Sequence, residues 1–190
     1  DTPCYLTYGK GFDNADYKEG VFVGYRYYTS RKMQTAFPFG YGLSYTTFEY
    51  SNLLLNKKEI TDKDTVEMSV KVKNTGSRAG KTVVQLYVEA PETEVVRPIR
   101  ELRGFEKIFL EAGEEKTVTF TLDERVFAYW NTLIHDWYVE EGTYKVMIGE
   151  NADQMCLGEE IIVHCTKEIP KTYSLNTCLG ELMRDPKAQA

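Results

Sequence analysis

Short runs in which apolar and polar residues alternate dominate the sequence from residue 48 onward. Such alternation places the apolar side chains on one face of a β-strand, and that face must then pack against another sheet. The predicted strands are residues 48–55, 66–73, 82–88, 104–110, 118–122, 127–130, 136–139, 142–149 and 160–165. Turn sequences separate them and no long helical pattern intervenes, so the chain predicts an antiparallel β-sandwich of the immunoglobulin or fibronectin type III-like class.

The alternation is confined to the middle of the 190-residue chain, which predicts three parts. We expect the sandwich over residues 47–166. Residues 1–46 contain one strand candidate, residues 21–28, with large side chains on both alternating faces. A strand of this kind is typical of the middle of an α/β sheet, so residues 1–46 are predicted to be the C-terminal remnant of an α/β domain. Residues 167–190 are predicted to be a tail with a short helix.

The tail helix is predicted from its cap and its apolar face. Asn176 can cap it, and Leu179, Leu182 and Met183 fall on one side at helical spacing. The Asp-Pro pair at 185–186 ends it. A helix this short is marginal alone, so we expect it to dock on other parts of the protein.

Charge and hydropathy exclude two classes of partner. The chain has 23 Lys and Arg against 29 Asp and Glu, a net charge of -6, which disfavours nucleic acid. No apolar run reaches the roughly 20 residues of a membrane span, so no membrane partner is expected.

The four cysteines form no CxxC pair and are interpreted as free, buried thiols. With no signal peptide at the start, a cytoplasmic location is favoured, although Asp1 in place of a Met indicates that the numbering begins inside a longer chain.

No catalytic, metal or cofactor-binding residue is predicted. A retaining glycosidase needs two carboxylates about 5 Å apart, and other hydrolases need a nucleophile beside a base, but the sequence shows neither arrangement. His135 and His164 lack metal-ligand spacing, which favours structural or surface roles. We therefore expect no cofactor.

Two features leave alternatives open. Trp130 and Trp137 lie beside turns, where buried sandwich aromatics are commoner than a sugar-binding platform. The polar loop 92–98 is either an ordinary connection or an arm that reaches a partner domain.

Several segments resemble the C-terminal part of glycoside hydrolase family 3 β-glucosidases. They are YKEGVFVGYRYY at 17–28, FPFGYGLSYTTF at 37–48, and residues 72–81, 84–88, 97–107 and 127–130. The resemblance covers about residues 1–165, and its order and spacing are highly specific. The LGEL sequence at 179–182 also resembles the end of many bacterial members.

This resemblance implies that residues 1–46 close an α/β sandwich domain and that residues 47–166 form the fibronectin type III-like domain after it. In this family the nucleophile is an Asp on a (β/α)8 barrel, and the usual acid/base is a Glu on a loop of the sandwich domain. Neither matching motif is present, so no catalytic residue is carried over and the chain alone is expected to be inactive. The implied parent is a retaining exo-glycosidase acting on β-linked glucosides, xylosides or other sugars.

Residues 37–45 are the predicted inter-domain docking surface. Gly40 and Gly42 permit unusual backbone angles there. Four side chains supply the aromatic area: Phe37, Phe39, Tyr41 and Tyr45. The expected partners are the remaining domains of the parent, or a second copy of the chain, bound through residues 21–45, and a simple linker is the alternative. For the whole chain, the alternative function is a carbohydrate-binding or adhesion-type β-sandwich module.

Overall fold

Two β-sheets pack face to face in a computed structural model that describes residues 3–5, 17–93, 95–169 and 177–184. The strands in these ranges are β1 (Phe48–Leu55), β2 (Glu59–Thr61), β3 (Val66–Asn74), β4 (Gly80–Glu89), β5 (Glu101–Leu110), β6 (Glu115–Leu122), β7 (Tyr129–Asn131), β8 (Asp136–Tyr138), β9 (Gly142–Gly149) and β10 (Met155–His164). The helices are α1 (Tyr25–Ser30), α2 (Glu124–Phe127) and α3 (Leu179–Arg184).

The first sheet has the strand order β1-β3-β6, and the second has the order β2-β10-β9-β4-β5. Neighbouring strands run antiparallel, apart from the parallel pairing of β10 with β2. Strands β7 and β8 form a separate hairpin. The prediction of a mainly antiparallel β-sandwich is confirmed.

The core lies between the two sheets. The alternation of apolar and polar residues in β3 directs its apolar side chains into this core. The alternate residues of this strand have no exposed surface: Val66, Met68, Val70 and Val72. Leu86 of β4 and Tyr144 of β9 belong to the same buried cluster. The Tyr144 hydroxyl donates to the Glu140 carbonyl at 2.9 Å, which satisfies the buried phenol. Because each fully buried side chain of this size contributes roughly 1.5–3 kcal/mol, this layer dominates the stability of the sandwich.

The strand prediction at residues 127–130 is wrong at its first two residues. Phe127 ends α2, and β7 begins only at Tyr129. The helix is capped by Asp123, whose Oδ1 accepts the backbone N–H of Arg125 at 3.0 Å. An Asp before an acidic first turn is a helix-start signal that an interpretation based on alternation overlooked. Strand β2 was missed as well, because three residues are too few to show alternation.

The strand predicted at residues 21–28 is also wrong, because the chain forms α1 (Tyr25–Ser30) there. The helix follows Gly24, which has a φ of 60°. A strand needs a neighbour for its backbone N–H and C=O groups, and none of the strands in the described ranges pairs with this segment. A helix satisfies those groups locally, as in the 2.9 Å hydrogen bond from the Arg31 N–H to the Tyr27 carbonyl.

The predicted tail helix is present as α3 (Leu179–Arg184). Its predicted cap, Asn176, and the Asp-Pro stop at 185–186 lie outside the described residues. Leu179 and Met183 are exposed. None of the helices in the described ranges is long and apolar enough to cross a membrane.

The cysteines differ in their burial. Cys156 and Cys165 are half-buried, and burial raises the pKa of the Cys156 thiol. Cys4 is also half-buried and Cys178 is exposed, so the interpretation of the thiols as buried is wrong, most clearly at Cys178.

Candidate inter-domain docking surface

The four aromatic residues predicted to dock other domains lie on one segment outside the two sheets, and all of them are exposed. The exposed fraction is 71% for Phe37, 52% for Phe39, 51% for Tyr41 and 92% for Tyr45. The ring centroids of Phe37 and Tyr41 are 5.3 Å apart, so the structure brings these two side chains together. Phe39 instead stacks on Tyr25 of α1 at 5.0 Å. We call Phe37, Phe39, Tyr41 and Tyr45 the aromatic surface.

The backbone beneath the aromatic surface is fixed to the five-stranded sheet and the loop beside it. The Ala152 N–H donates to the Phe39 carbonyl at 2.8 Å. The Gln85 side chain of β4 donates from Nε2 to the carbonyls of Gly40, at 3.3 Å, and Glu150, at 2.6 Å. A segment held at consecutive residues presents its rings in a defined orientation. These bonds hold the segment against the sandwich, and its docking to other domains stays a prediction.

Gly40 is what allows this segment to approach β4 so closely. Its φ is 82°, and a Cβ at this position would lie 2.3 Å from Gln85 Oε1. Gln85 is buried, and its Oε1 accepts a 2.7 Å hydrogen bond from the Tyr87 hydroxyl, which prevents the amide from turning aside freely. Burial raises the pKa of Tyr87, so its hydroxyl remains a donor. Gly42, by contrast, has open space around it.

Helix α1 attaches the same segment to the edge strand β5 and to the loop before it. The Tyr25 hydroxyl accepts the Leu102 backbone N–H at 2.7 Å, and Ser30 Oγ accepts the Ile99 backbone N–H at 3.1 Å. The Tyr25 ring also meets the buried Tyr87 edge-on at 6.1 Å. Sequence reasoning missed these anchors because nothing local to residues 25–30 indicates which strand they contact.

Other apolar side chains are exposed on this segment and on β5. They are Val21, Val23, Met33 and Leu43 on the segment, and Phe105 and Phe109 on β5. Large exposed apolar patches mark interaction sites, whereas single exposed apolar side chains are ordinary. These side chains extend the set of candidate contacts for the predicted docking surface.

The two tryptophans do not form a flat platform. Trp130 and Trp137 are paired across the β7–β8 hairpin with ring centroids 5.5 Å apart and ring planes at 75°. The Arg125 guanidinium lies 3.3 Å from the centre of the Trp137 ring and occupies one face of it. Trp130 is 49% exposed, so its ring is the more accessible of the two.

The two histidines are distant from the aromatic surface in sequence, and neither forms a hydrogen bond with it among the described residues. His164 Nε2 is 2.8 Å from Glu59 Oε1 on the exposed edge of β10 and β2. His135 occupies a turn with a φ of 49°. Within the described residues, no group of three or more His, Cys, Asp or Glu side chains is arranged to hold a metal ion.

Known proteins match this chain in sequence and in structure. Residues 82–152 match the family model of the fibronectin type III-like domain. The chain is 50% identical over 188 residues to the thermostable beta-glucosidase B of Acetivibrio thermocellus, a match that covers 99% of the chain. The crystal structure of a GH3 beta-glucosidase from Bifidobacterium adolescentis matches the whole chain with a TM-score of 0.86 at 37% identity. The chain matches the C-terminal, fibronectin type III-like portion of β-glucosidases of glycoside hydrolase family 3.

The chain spans about a quarter of the length of the curated relatives it matches. It covers 25% of the A. thermocellus protein and 27% of the B. adolescentis chain. A further relative is the exo-alpha-(1->6)-L-arabinopyranosidase of Bifidobacterium breve, which is 43% identical over 188 residues and of which the chain covers 24%. Relatives with different named activities therefore share this portion.

Proposed function

We propose that this chain is the non-catalytic portion of a larger β-glucosidase and that it stabilises and positions the catalytic domains through the aromatic surface. The observation that carries the proposal is the combination of exposed aromatic rings with a backbone hydrogen-bonded to Gln85 and Ala152. Aromatic side chains held in place are enriched at the centres of protein interfaces. In the intact enzyme, domains outside this chain would cover them.

The comparisons support a structural role for this portion rather than one in choosing the sugar. A β-glucosidase and an arabinopyranosidase share it at 50% and 43% identity. A portion that selected the sugar would differ most between such relatives. The parent's reaction, which we propose to be retaining hydrolysis of terminal β-linked sugars, is then catalysed by carboxylates outside this chain.

Hydrolysis of chromogenic aryl β-glycosides tests this division of labour. The purified chain is assayed alone and after co-production with the part of the A. thermocellus β-glucosidase B that it does not cover. We expect no turnover from the chain alone and turnover from the combination. Turnover by the chain alone that is lost when one of its own carboxylates is changed would refute the proposal.

The aromatic surface is tested in the same complementation assay. Replacing Phe37 and Tyr41 by serine removes the contacting ring pair, and we expect the recovered activity to fall about tenfold, the loss of one strong interface contact. The matched control is Leu54→Ser on β1, which removes an exposed apolar side chain from the other sheet. Equal activity in the two variants would contradict docking through the aromatic surface.

An isolated chain leaves the same surface uncovered, so we also propose that it self-associates through residues 21–45. Sedimentation velocity over a range of concentrations measures this directly. A monomer at all concentrations counts against self-association, and dissociation of the oligomer by the Phe37 and Tyr41 double substitution supports it.

A carbohydrate-binding module is the second candidate function, and the accessible Trp130 ring favours it. Titration with β-linked oligosaccharides while tryptophan fluorescence is recorded distinguishes the two. Saturable quenching that is lost in Trp130→Ala supports sugar binding, and unchanged fluorescence refutes it.

A further inference from the structure

A cleft of about 560 Å³ lies between α1, the loop before β5 and the β7–β8 hairpin. Three arginines from different parts of the chain line it: Arg26 of α1, Arg97 of the loop and Arg103 of β5. The Glu101 side chain of β5 lies among them. We call this feature the arginine cleft.

One carboxylate is shared by all three guanidinium groups. Glu101 Oε1 lies 3.1 Å from Arg26 Nη2, and Oε2 lies 2.7 Å from Arg103 Nη2 and 3.7 Å from Arg97 Nη2. The other nearby carboxylate belongs to Glu140, whose Oε2 is 3.6 Å from Arg97 Nη1. Three positive charges therefore face two negative ones, which leaves one positive charge without a counter-charge in this network.

The hydrogen-bonding capacity of the cleft shows the same excess of donors. Three buried donors of the network have no hydrogen-bond partner among the described residues, namely Arg26 Nε, Arg97 Nη1 and Arg103 Nε, against one buried acceptor in the same state, Glu140 Oε2. Burial lowers the pKa of Arg103, and the charges of Arg97 and Arg26 lower it further against the opposing effect of Glu101. The chain as a whole carries a net charge of -6, so this positive site does not reflect a generally basic surface.

The mouth of the arginine cleft is apolar. Four of the side chains that line it are exposed by about half or more: Val21, Val96, Trp130 and Leu133. Arginine side chains beside an exposed tryptophan are the composition of energetically important interface centres. A neutral sugar would leave the extra positive charge without a counter-ion, whereas a carboxylate forms paired, charge-assisted hydrogen bonds with a guanidinium group.

We propose that the arginine cleft binds the carboxylate of an Asp or Glu side chain from the part of the glycosidase that lies outside this chain. This inference rests on the proposed docking function and names the chemistry of the partner. About three-quarters of the length of the matched relatives lies outside the region that the chain covers, so a segment to supply the carboxylate exists in them. The acidic group completes the charge balance around Glu101, and the apolar rim excludes water from the pair.

The test measures capture of a partner as a function of salt. The tagged 190-residue chain is co-produced with the part of the A. thermocellus β-glucosidase B that lies outside the matched region. The dissociation constant of the complex is then measured at low and high NaCl. Arg26 is the residue to change, because its side chain is 37% exposed and Arg26→Gln is therefore expected to fold. Arg26→Lys retains the positive charge.

The matched control is Lys63→Gln. Lys63 is exposed between β2 and β3, and β2 lies at the opposite edge of the five-stranded sheet from β5. The Lys63→Gln substitution removes one positive charge, as Arg26→Gln does, but at a residue that does not line the arginine cleft. Thermal melts of every variant check the fold.

We expect Arg26→Gln to weaken the complex about tenfold and to reduce its salt dependence. Arg26→Lys and Lys63→Gln should both stay within about threefold of the wild-type chain. Equal dissociation constants for Arg26→Gln and Lys63→Gln would overturn the carboxylate site and leave the docking function intact. Failure of the wild-type chain to capture the partner at any salt concentration would overturn both.

Discussion

Tyr25 is the side chain through which the N-terminal segment is most firmly joined to the sandwich, and its removal tests whether the segment is an integral part of this fold. The residue stacks on Phe39, meets Tyr87 edge-on and accepts the Leu102 N–H. The perturbation is Tyr25→Ala, which removes all three contacts while leaving the main core between the two sheets untouched.

The magnitude follows from those contacts. Each aromatic pair contributes about 0.5–1.5 kcal/mol beyond the area it buries, and the lost acceptor leaves a backbone N–H that costs about 1 kcal/mol. Their sum predicts that Tyr25→Ala lowers the free energy of unfolding by about 2–4 kcal/mol. Tyr25→Phe keeps the rings and loses only the hydrogen bond, so it should lower the free energy by about 1 kcal/mol.

Urea unfolding followed by circular dichroism gives the comparison, with Tyr45→Ala as the control. Tyr45 is 92% exposed, so its removal should change the free energy by less than about 0.5 kcal/mol. If Tyr25→Ala is no more destabilising than Tyr45→Ala, the segment does not contribute to the stability of the sandwich and the reasoning fails.

Two further predictions concern a glycine and a half-buried carboxylate. Gly40→Ala should lower the free energy of unfolding by about 2–3 kcal/mol, because its φ of 82° is strained for alanine and its Cβ displaces a hydrogen-bonded glutamine, whereas Gly42→Ala should be neutral in the same urea assay. The backbone N–H and hydroxyl of Thr61, followed by Lys57, lower the pKa of Asp64 from 3.8 to about 2. Since the folded-state pKa lies below the unfolded value, this contribution to stability is complete above pH 3.8 and is lost as the pH falls to about 2. Asp64→Asn should flatten that decline in urea midpoints measured across this range, and identical declines would contradict the assignment.

The sandwich could be predicted because its signal is local. Alternation in β3 depends only on neighbouring residues, and it specifies both the strand and the face that is buried at Val66, Met68, Val70 and Val72. The exposed aromatic side chains at 37–45 were also visible, since four large rings in nine residues exceed what a solvated connection requires. The sequence by itself therefore determined the fold class and the docking candidates.

Only the tertiary structure decided how the N-terminal segment is used. Residues 21–28 have the apolar character of a buried strand, but a strand forms only where another strand offers backbone partners, and here the chain forms α1 and packs it through Tyr25 on β4 and β5. The arginine cleft likewise brings Arg26 to Arg97 and Arg103, and no local pattern links residue 26 to a segment about 70 residues later. Periodicity records the preferences of neighbouring residues, whereas contacts between distant residues depend on how the elements pack, and that packing is what places three guanidinium groups around Glu101.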